Sequence, residues 1–384
     1  MIPYGRQDIN QEDIKAVVDV LSSDFLTQGP TVERFEGEYC RYVGSKFAVS
    51  ANSATSCLHV ACLALGLGPN NLLWTVPNTF VASANVGLLC GATVDFVDIE
   101  LQQYNMCADS LEEKLRETAK RNKQLPDVVM PVHFAGVSPD MERIYQLSEE
   151  YGFKLIEDAS HAAGADYLGQ KVGSCKFSDI TVFSFHPVKL ITTGEGGMAT
   201  TNDSKLASKM KLFTTHGVVR DVDLLERQNE GPWYYEQQLL GLNYRLTELQ
   251  AGLGCSQLRR LDSFVERRRQ LYATYLVMLH GLSLVLPVYE RGSKPSHHLF
   301  PVLIDEGCSK SRRVVFEEMR GKGIGVHVHY IPVHTQPYYR DLGFTYDQFP
   351  NSTSYYERAL SIPISHTMSD SDQDFIVDTL REIL

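Results

Sequence analysis

Short β-forming runs and stretches with apolar residues at helical spacing take turns through the first two thirds of the chain. Lys46–Ser50 predicts a strand and Ala54–Leu67 a helix, and Leu73–Val76 with Val81–Cys90 repeats the pair. The strand Thr93–Val97, the polar helix Ser110–Lys120, the strand Val128–Val132, the helix Met141–Tyr151 and the strand Lys154–Glu157 continue the alternation. Ile180–Phe185 and Met198–Thr201 are further β-rich runs. Strands alternating with helices of this length predict an α/β fold with a mostly parallel sheet covered on both faces.

The pattern changes near Asn202. Two long helical patterns follow, Leu246–Leu261 and Ser263–Leu279. A smaller α/β portion begins near Ser283, with strands at His298–Ile304 and Gly325–His329 and a helix at Ser311–Lys322. A last helix, Asp370–Ile383, has Ser369-Asp370 at its start as a cap. Pro, Gly and Ser in residues 287–296 mark the break. The expected organisation is a large α/β domain over residues 1–282, with an N-terminal arm, and a smaller C-terminal domain over 283–384.

A hydrophobic share of 43% in 384 residues supports a sizeable core. No run of about 18 apolar residues occurs, so no membrane span is expected. Met1-Ile2-Pro3-Tyr4-Gly5-Arg6 lacks a signal-peptide pattern, and the expected location is the cytoplasm. The net charge of −11 argues against a nucleic-acid partner, since phosphate backbones need clustered Lys and Arg. The dense basic run, Arg259-Arg260 and Arg267-Arg268-Arg269, has Asp262 and Glu266 between and is expected to be a solvated helix face. Eight scattered cysteines with no CxxC pair argue against a metal site or a redox motif; Cys57, Cys62 and Cys90 are expected as buried free thiols.

Candidate chemistry centres on Phe183-Ser184-Phe185-His186-Pro187-Val188-Lys189, with Gly194-Glu195-Gly196-Gly197 close behind. A strand ends in a turn that presents a lysine, at the sheet edge where open α/β folds bind ligands. Alone, Lys189 would be an ordinary surface lysine; its partners make the case. Asp158 stands 31 positions earlier and closes another apolar strand. Pyridoxal phosphate requires a carboxylate beside its pyridine nitrogen, because the negative charge keeps that nitrogen protonated and the ring an electron sink. Glu157 and Asp158 face opposite ways on a strand, so Asp158 takes this role and Glu157 a structural one. The alternative for Asp158 is a helix-start cap.

Ser50-Ala51-Asn52-Ser53-Ala54-Thr55-Ser56 joins a strand to a helix through small residues. The exposed N–H groups of such a start suit a phosphate, with Ser53 and Thr55 hydroxyls adding bonds. Ser184 is a further phosphate candidate. Phe80, in Val76-Pro77-Asn78-Thr79-Phe80, lies near the same edge, either stacked on a cofactor ring or in the core. His161 is either beside that ring or a satisfied polar core group.

The set Asn52-Ser53-Ala54-Thr55, Pro77-Asn78-Thr79-Phe80, Glu157-Asp158-Ala159-Ser160-His161 and Phe185-His186-Pro187-Val188-Lys189 resembles the DegT-type sugar nucleotide aminotransferases. Leu26-Thr27-Gln28-Gly29-Pro30 and Gly241-Leu242-Asn243-Tyr244-Arg245-Leu246-Thr247 extend the likeness along the whole chain. The family has the aspartate aminotransferase-like fold (fold type I). Within it, Ile2-Pro3-Tyr4-Gly5-Arg6-Gln7, Pro232-Trp233-Tyr234-Tyr235-Glu236-Gln237 and Val328-His329-Tyr330-Ile331-Pro332-Val333-His334 are most similar to the C4 aminotransferases of pseudaminic acid biosynthesis.

The resemblance implies an enzyme with pyridoxal 5'-phosphate as cofactor, and glutamate and a UDP-linked keto sugar as substrates. Lys189 would carry the cofactor as a Schiff base and Asp158 would partner the pyridinium. Phe80 would stack on the ring, and Ser53, Ala54, Thr55 and Ser184 would hold the phosphate. Asn243 would reach the phosphate of a neighbouring subunit, making a homodimer with shared active sites. Tyr4, Arg6, Thr27, Arg245, His329, Tyr330 and His334 are the substrate candidates. A branch of the family with histidine in place of the lysine performs dehydration, and Lys189 places this chain outside it. The chain departs from the family at Pro69-Asn70-Asn71-Leu72-Leu73, where a Gly-Asp-Glu turn is usual.

Overall fold

The computed structural model describes residues 1–227, 230–289 and 292–384. Residues 290 and 291, inside the expected break at 287–296, lie outside the described residues. A seven-stranded sheet runs in the order Phe47–Ala51, Gly197–Thr201, Ile180–Ser184, Lys154–Asp158, Val128–Val129, Leu72–Thr75, Thr93–Phe96. Gly197–Thr201 is antiparallel to both neighbours. The other pairings in this sheet are parallel, as the alternation predicts. Ile180–Ser184 and Gly197–Thr201 are buried along their whole length, because helices cover both faces.

The helix after the first strand, Ala54–Ala64, is shorter than its apolar pattern because Gly66 takes a left-handed φ of 87° just beyond it. The expected strand Val128–Val132 pairs continuously only at Val128–Val129, and Val132 makes an isolated bridge to Asp158. Pro131 between them has no N–H to donate. The unusual turn at Asn70-Asn71 is self-supporting. Asn70 adopts φ 71°, which asparagine tolerates, and the Asn71 side chain accepts the Gly68 N–H at 2.9 Å.

Two helices, Gln11–Leu21 and Pro30–Val43, precede the alternating region. The second starts on the buried Glu248 carboxylate, which accepts the N–H groups of Gly29, Thr31 and Val32 at 2.6–3.2 Å. An anion at a helix start is favourable because the unpaired N–H groups there are partly positive.

A second, antiparallel sheet follows, in the order Leu284–Val285, Phe300–Ile304, Ala359–Ile362. The helices Arg312–Gly321 and Asp370–Ile383 accompany it, the latter capped by Ser369 as expected. The strand expected at Gly325–His329 is not continuous. The N-terminal arm takes part of its ladder, Ile2 bridging Ile324, and only His327 bridges Ser361.

The basic run is a solvated face only in part: Arg259, Asp262 and Glu266 are exposed, Arg260, Arg267 and Arg269 half-buried and Arg268 buried. The helix Leu261–Met278 packs Leu261, Phe264 and Val265 into one core cluster and Leu271, Tyr272 and Tyr275 into another, so both its ends are covered. Arg268 is fully buried and donates from Nη1 to the carbonyls of His297, His298 and Ile364 at 3.2, 3.2 and 2.7 Å. Arg260 holds Asp8 and Asp13, and Arg267 holds Asp370. Cys57, Cys62 and Cys90 are buried and free. Among the described residues, no helix is long and apolar enough to cross a membrane.

Candidate active site

The carboxyl ends of the central strands open into a cleft of about 850 Å³, within the range that takes a cofactor and part of a substrate. Beyond Ile180–Ser184, the chain turns and closes back on itself. The Phe185 N–H donates to Gly196 O (2.9 Å) and the Thr193 N–H to Phe185 O (3.0 Å). Lys189 sits inside this loop and lines the cleft. Burial lowers its amine from 10.5 to about 8, and the charge of Asp158 works the other way.

Asp158 ends the neighbouring strand and is 5% exposed. Its Oδ2 accepts from Ser83 Oγ at 2.7 Å, and its Oδ1 accepts from Ser160 Oγ at 2.6 Å and Ser160 N at 3.1 Å. It is not a helix cap. Glu157 faces the other side of the sheet, where His133 Nε2 is 2.8 Å away and the hydroxyls of Ser178 and Thr181 donate to it. Burial pushes the Glu157 carboxyl up, but these three partners together hold it below its ordinary value.

At the other wall, the helix Ala54–Ala64 starts beside the antiparallel strand. A Cβ on Gly197 would lie 2.6 Å from Ala54 N, so only glycine allows this approach. Ser53 caps the helix by accepting from Ser56 N, and the Asn52 N–H donates to Tyr244 O at 2.8 Å. Ser53, Ala54, Thr55 and Ser184 all line the cleft at this point. A capped helix start bordered by hydroxyls, opposite a lysine and a carboxylate, fits a phosphorylated ring with a basic nitrogen.

The segment after His327 completes the third side. Asn78 Oδ1 accepts the Tyr330 N–H (3.2 Å) and Pro77 O accepts the Val333 N–H (2.9 Å), so the Pro77–Phe80 loop holds it in place. Tyr330 Oη is 3.0 Å from His161 Nε2. Burial, then the charges of Lys189 and His329, push His161 far below its ordinary value, so the ring is neutral. Phe80 is 59% exposed, which rules out the core alternative. Tyr4 and His329 lie against each other, ring centroids 5.3 Å apart, and both line the cleft.

Five candidates lie elsewhere. Arg6, Thr27 and Asn243 are exposed and Arg245 half-buried, none of them lining the cleft. His334 is fully buried, its Nε2 3.2 Å from Tyr346 O and its ring 4.9 Å from Phe349. Conversely, Ser83, Ser160, Glu195, Gln250 and His327 line the cleft without having been singled out. A signal existed for His327, which shares a side of the extended chain with His329.

Sheet order, cleft and lysine together define an α/β enzyme of the aspartate aminotransferase-like fold (fold type I). The family model described as the DegT/DnrJ/EryC1/StrS aminotransferase family matches residues 7–381, and the chain belongs to that family. It is 38% identical over 392 residues to the UDP-4-amino-4,6-dideoxy-N-acetyl-beta-L-altrosamine transaminase of Campylobacter jejuni, covering 100% of this chain and 98% of that protein. Among solved structures, PseC from Helicobacter pylori, an aminotransferase involved in the biosynthesis of pseudoaminic acid, superposes with a TM-score of 0.89 at 30% identity. That match covers 100% of this chain and 98% of PseC. Spr1654 from Streptococcus pneumoniae in its PLP form matches with a TM-score of 0.89 at 28% identity, covering 100% and 98%. The chain is a pyridoxal phosphate-dependent sugar aminotransferase.

Proposed function

We propose that the enzyme moves an amino group from glutamate to C4 of a UDP-linked 4-keto-6-deoxy-N-acetylhexose, in pseudaminic acid or related surface-glycan biosynthesis. The observation that carries this reading is the full-length likeness to the Campylobacter jejuni transaminase named for the 4-amino sugar. The same reading makes the chain a cytoplasmic homodimer, divided into a cofactor domain (1–282) and a smaller domain (283–384).

In this reading Lys189 holds the cofactor covalently, and Ser53, Ala54, Thr55 and Ser184 hold its phosphate. Phe80 and His161 flank the ring. Bound there, pyridoxal phosphate supplies the carbon on which amino groups are exchanged and a ring that spreads the charge left when a proton is removed. Asp158 keeps that ring electron-poor by its charge at the nitrogen. The Lys189 amine, when free, would accept and hold the proton at Nζ. Burial, which lowers this amine to about 8 in the free cleft, favours the neutral form that accepts a proton.

Tyr4, His329 and Tyr330 form the substrate side of the same chain's cleft. Arg6, Thr27, Asn243 and Arg245, lying outside it, serve the partner subunit's site, with Asn243 at the phosphate. His334, packed against Phe349 and Phe96 with its Nε2 near Tyr346 O, is closed off from the cleft and leaves the substrate set. The test is incubation with glutamate and a panel of UDP- and dTDP-linked 3- and 4-keto sugars, with products identified by NMR. Amination at C4 of the UDP-linked 4-keto sugar is expected. Amination only of a 3-keto or dTDP-linked sugar would overturn the substrate assignment.

A further inference from the structure

Asp158 is held from two separate elements, and the second lies beyond the residues assigned above. Ser83 Oγ is 2.7 Å from Asp158 Oδ2, and Thr79 Oγ1 is 2.8 Å behind it. Both hydroxyls are buried, at 1% and 2% exposure. Proton counting orders the chain. A carboxylate only accepts, and Asp158 Oδ2 at 2.7 Å is far nearer than the other acceptor, Phe80 O at 3.4 Å, so the single Ser83 proton goes to Asp158 and Thr79 then donates to Ser83. We infer that Ser83, backed by Thr79, is a positioning residue that fixes the Asp158 carboxylate and thereby the protonation of the cofactor's ring nitrogen. This rests on the pyridinium role proposed for Asp158.

The placement supports it. Thr79 and Ser83 are four residues apart across the start of the helix Ala82–Leu89, and Phe80 stands between them. The same turn therefore presents an aromatic ring to the cleft and orients the carboxylate. Oδ1 is tied by the Ser160 backbone as well as its hydroxyl, so it keeps a donor if that hydroxyl is lost. Oδ2 has only Ser83 as its hydroxyl donor among the described residues. Without it, the carboxylate is free to rotate about its Oδ1 anchor and its charge at the ring nitrogen weakens.

The test compares wild-type, Ser83→Ala and Ser83→Thr holoenzymes by pH titration of the bound cofactor's absorbance, by single-turnover kinetics with glutamate and by thermal melting. Ser83→Ala is expected to displace the titration midpoint and to lower the half-reaction rate on the order of tenfold, the worth of one hydrogen bond to a charged group. KM for glutamate should stay unchanged, and Ser83→Thr should restore both titration and rate. If Ser83→Ala does not retain cofactor, Thr79→Val replaces it, with a smaller shift in the same direction expected. A wild-type titration and rate in the hydroxyl-free variant, or a Ser83→Thr as impaired as Ser83→Ala, would overturn the inference. Wild-type protein that forms no absorbing complex with pyridoxal phosphate would overturn the functional reading and this inference with it.

Discussion

Glu157 and Asp158 are adjacent, equally buried carboxylates on one strand, and they face two different environments. Behind the sheet, Glu157 is surrounded by His133, Ser178 and Thr181, so its carboxylate oxygens are engaged by protein groups. In front, Asp158 has three neutral donors and shares the cleft with Lys189, whose amine feels its charge. The back carboxylate is closed and the front one is open to a further partner. Burial alone therefore does not mark a functional carboxylate; a face left open to the cleft does.

The sharpest way to test that contrast starts at Lys189. Lys189→Ala is expected to abolish turnover and the bound-cofactor absorbance, measured by kinetics and spectroscopy on the same preparation. Asp158→Ala should fold and bind cofactor weakly, with the glutamate half-reaction slowed on the order of a hundred- to a thousandfold, the cost of removing one aimed electrostatic partner. Glu157→Gln should do the reverse, losing on the order of 3 kcal/mol in urea unfolding while kcat per folded enzyme is kept. Its pH signature follows from its lowered carboxyl. The stabilisation is complete above the ordinary value of 4.5 and is lost as pH falls through the lower folded value, so the variant should lack that acid-side loss. The smallest effect concerns Lys189 without cofactor. Capture of pyridoxal phosphate needs the neutral amine, so its rate should rise roughly tenfold from about pH 7 to about pH 9 and then level off. An amine at its ordinary 10.5 would keep rising throughout that range and beyond.

The opposite facing of Glu157 and Asp158 was legible in the sequence, because a strand's alternation is local. So was the cleft's order of strand, turn and lysine. The arginine run was misread in part, for a non-local reason: Arg268 has charged neighbours in sequence, yet the carbonyls of His297, His298 and Ile364 enclose it, and no pattern around 268 announces them. The Gly325–His329 segment failed similarly, its pairing being divided between Ile2 and Ser361, hundreds of positions away on one side. His334 follows the motif that supplies His329 and Tyr330, but the short turn at Val333–Thr335 directs it into the core around Phe349. The two N-terminal helices went unread although their starts carry local signals, the Asn10 capping box and Pro30 in the first turn.

The most direct test of the account is to incubate the purified protein with pyridoxal phosphate, reduce it with borohydride, digest it and locate the attached cofactor by mass spectrometry. The account predicts a single modified site, Lys189, lost from the sample when glutamate is added before reduction. Modification spread over surface lysines, or persisting unchanged after glutamate, would contradict it.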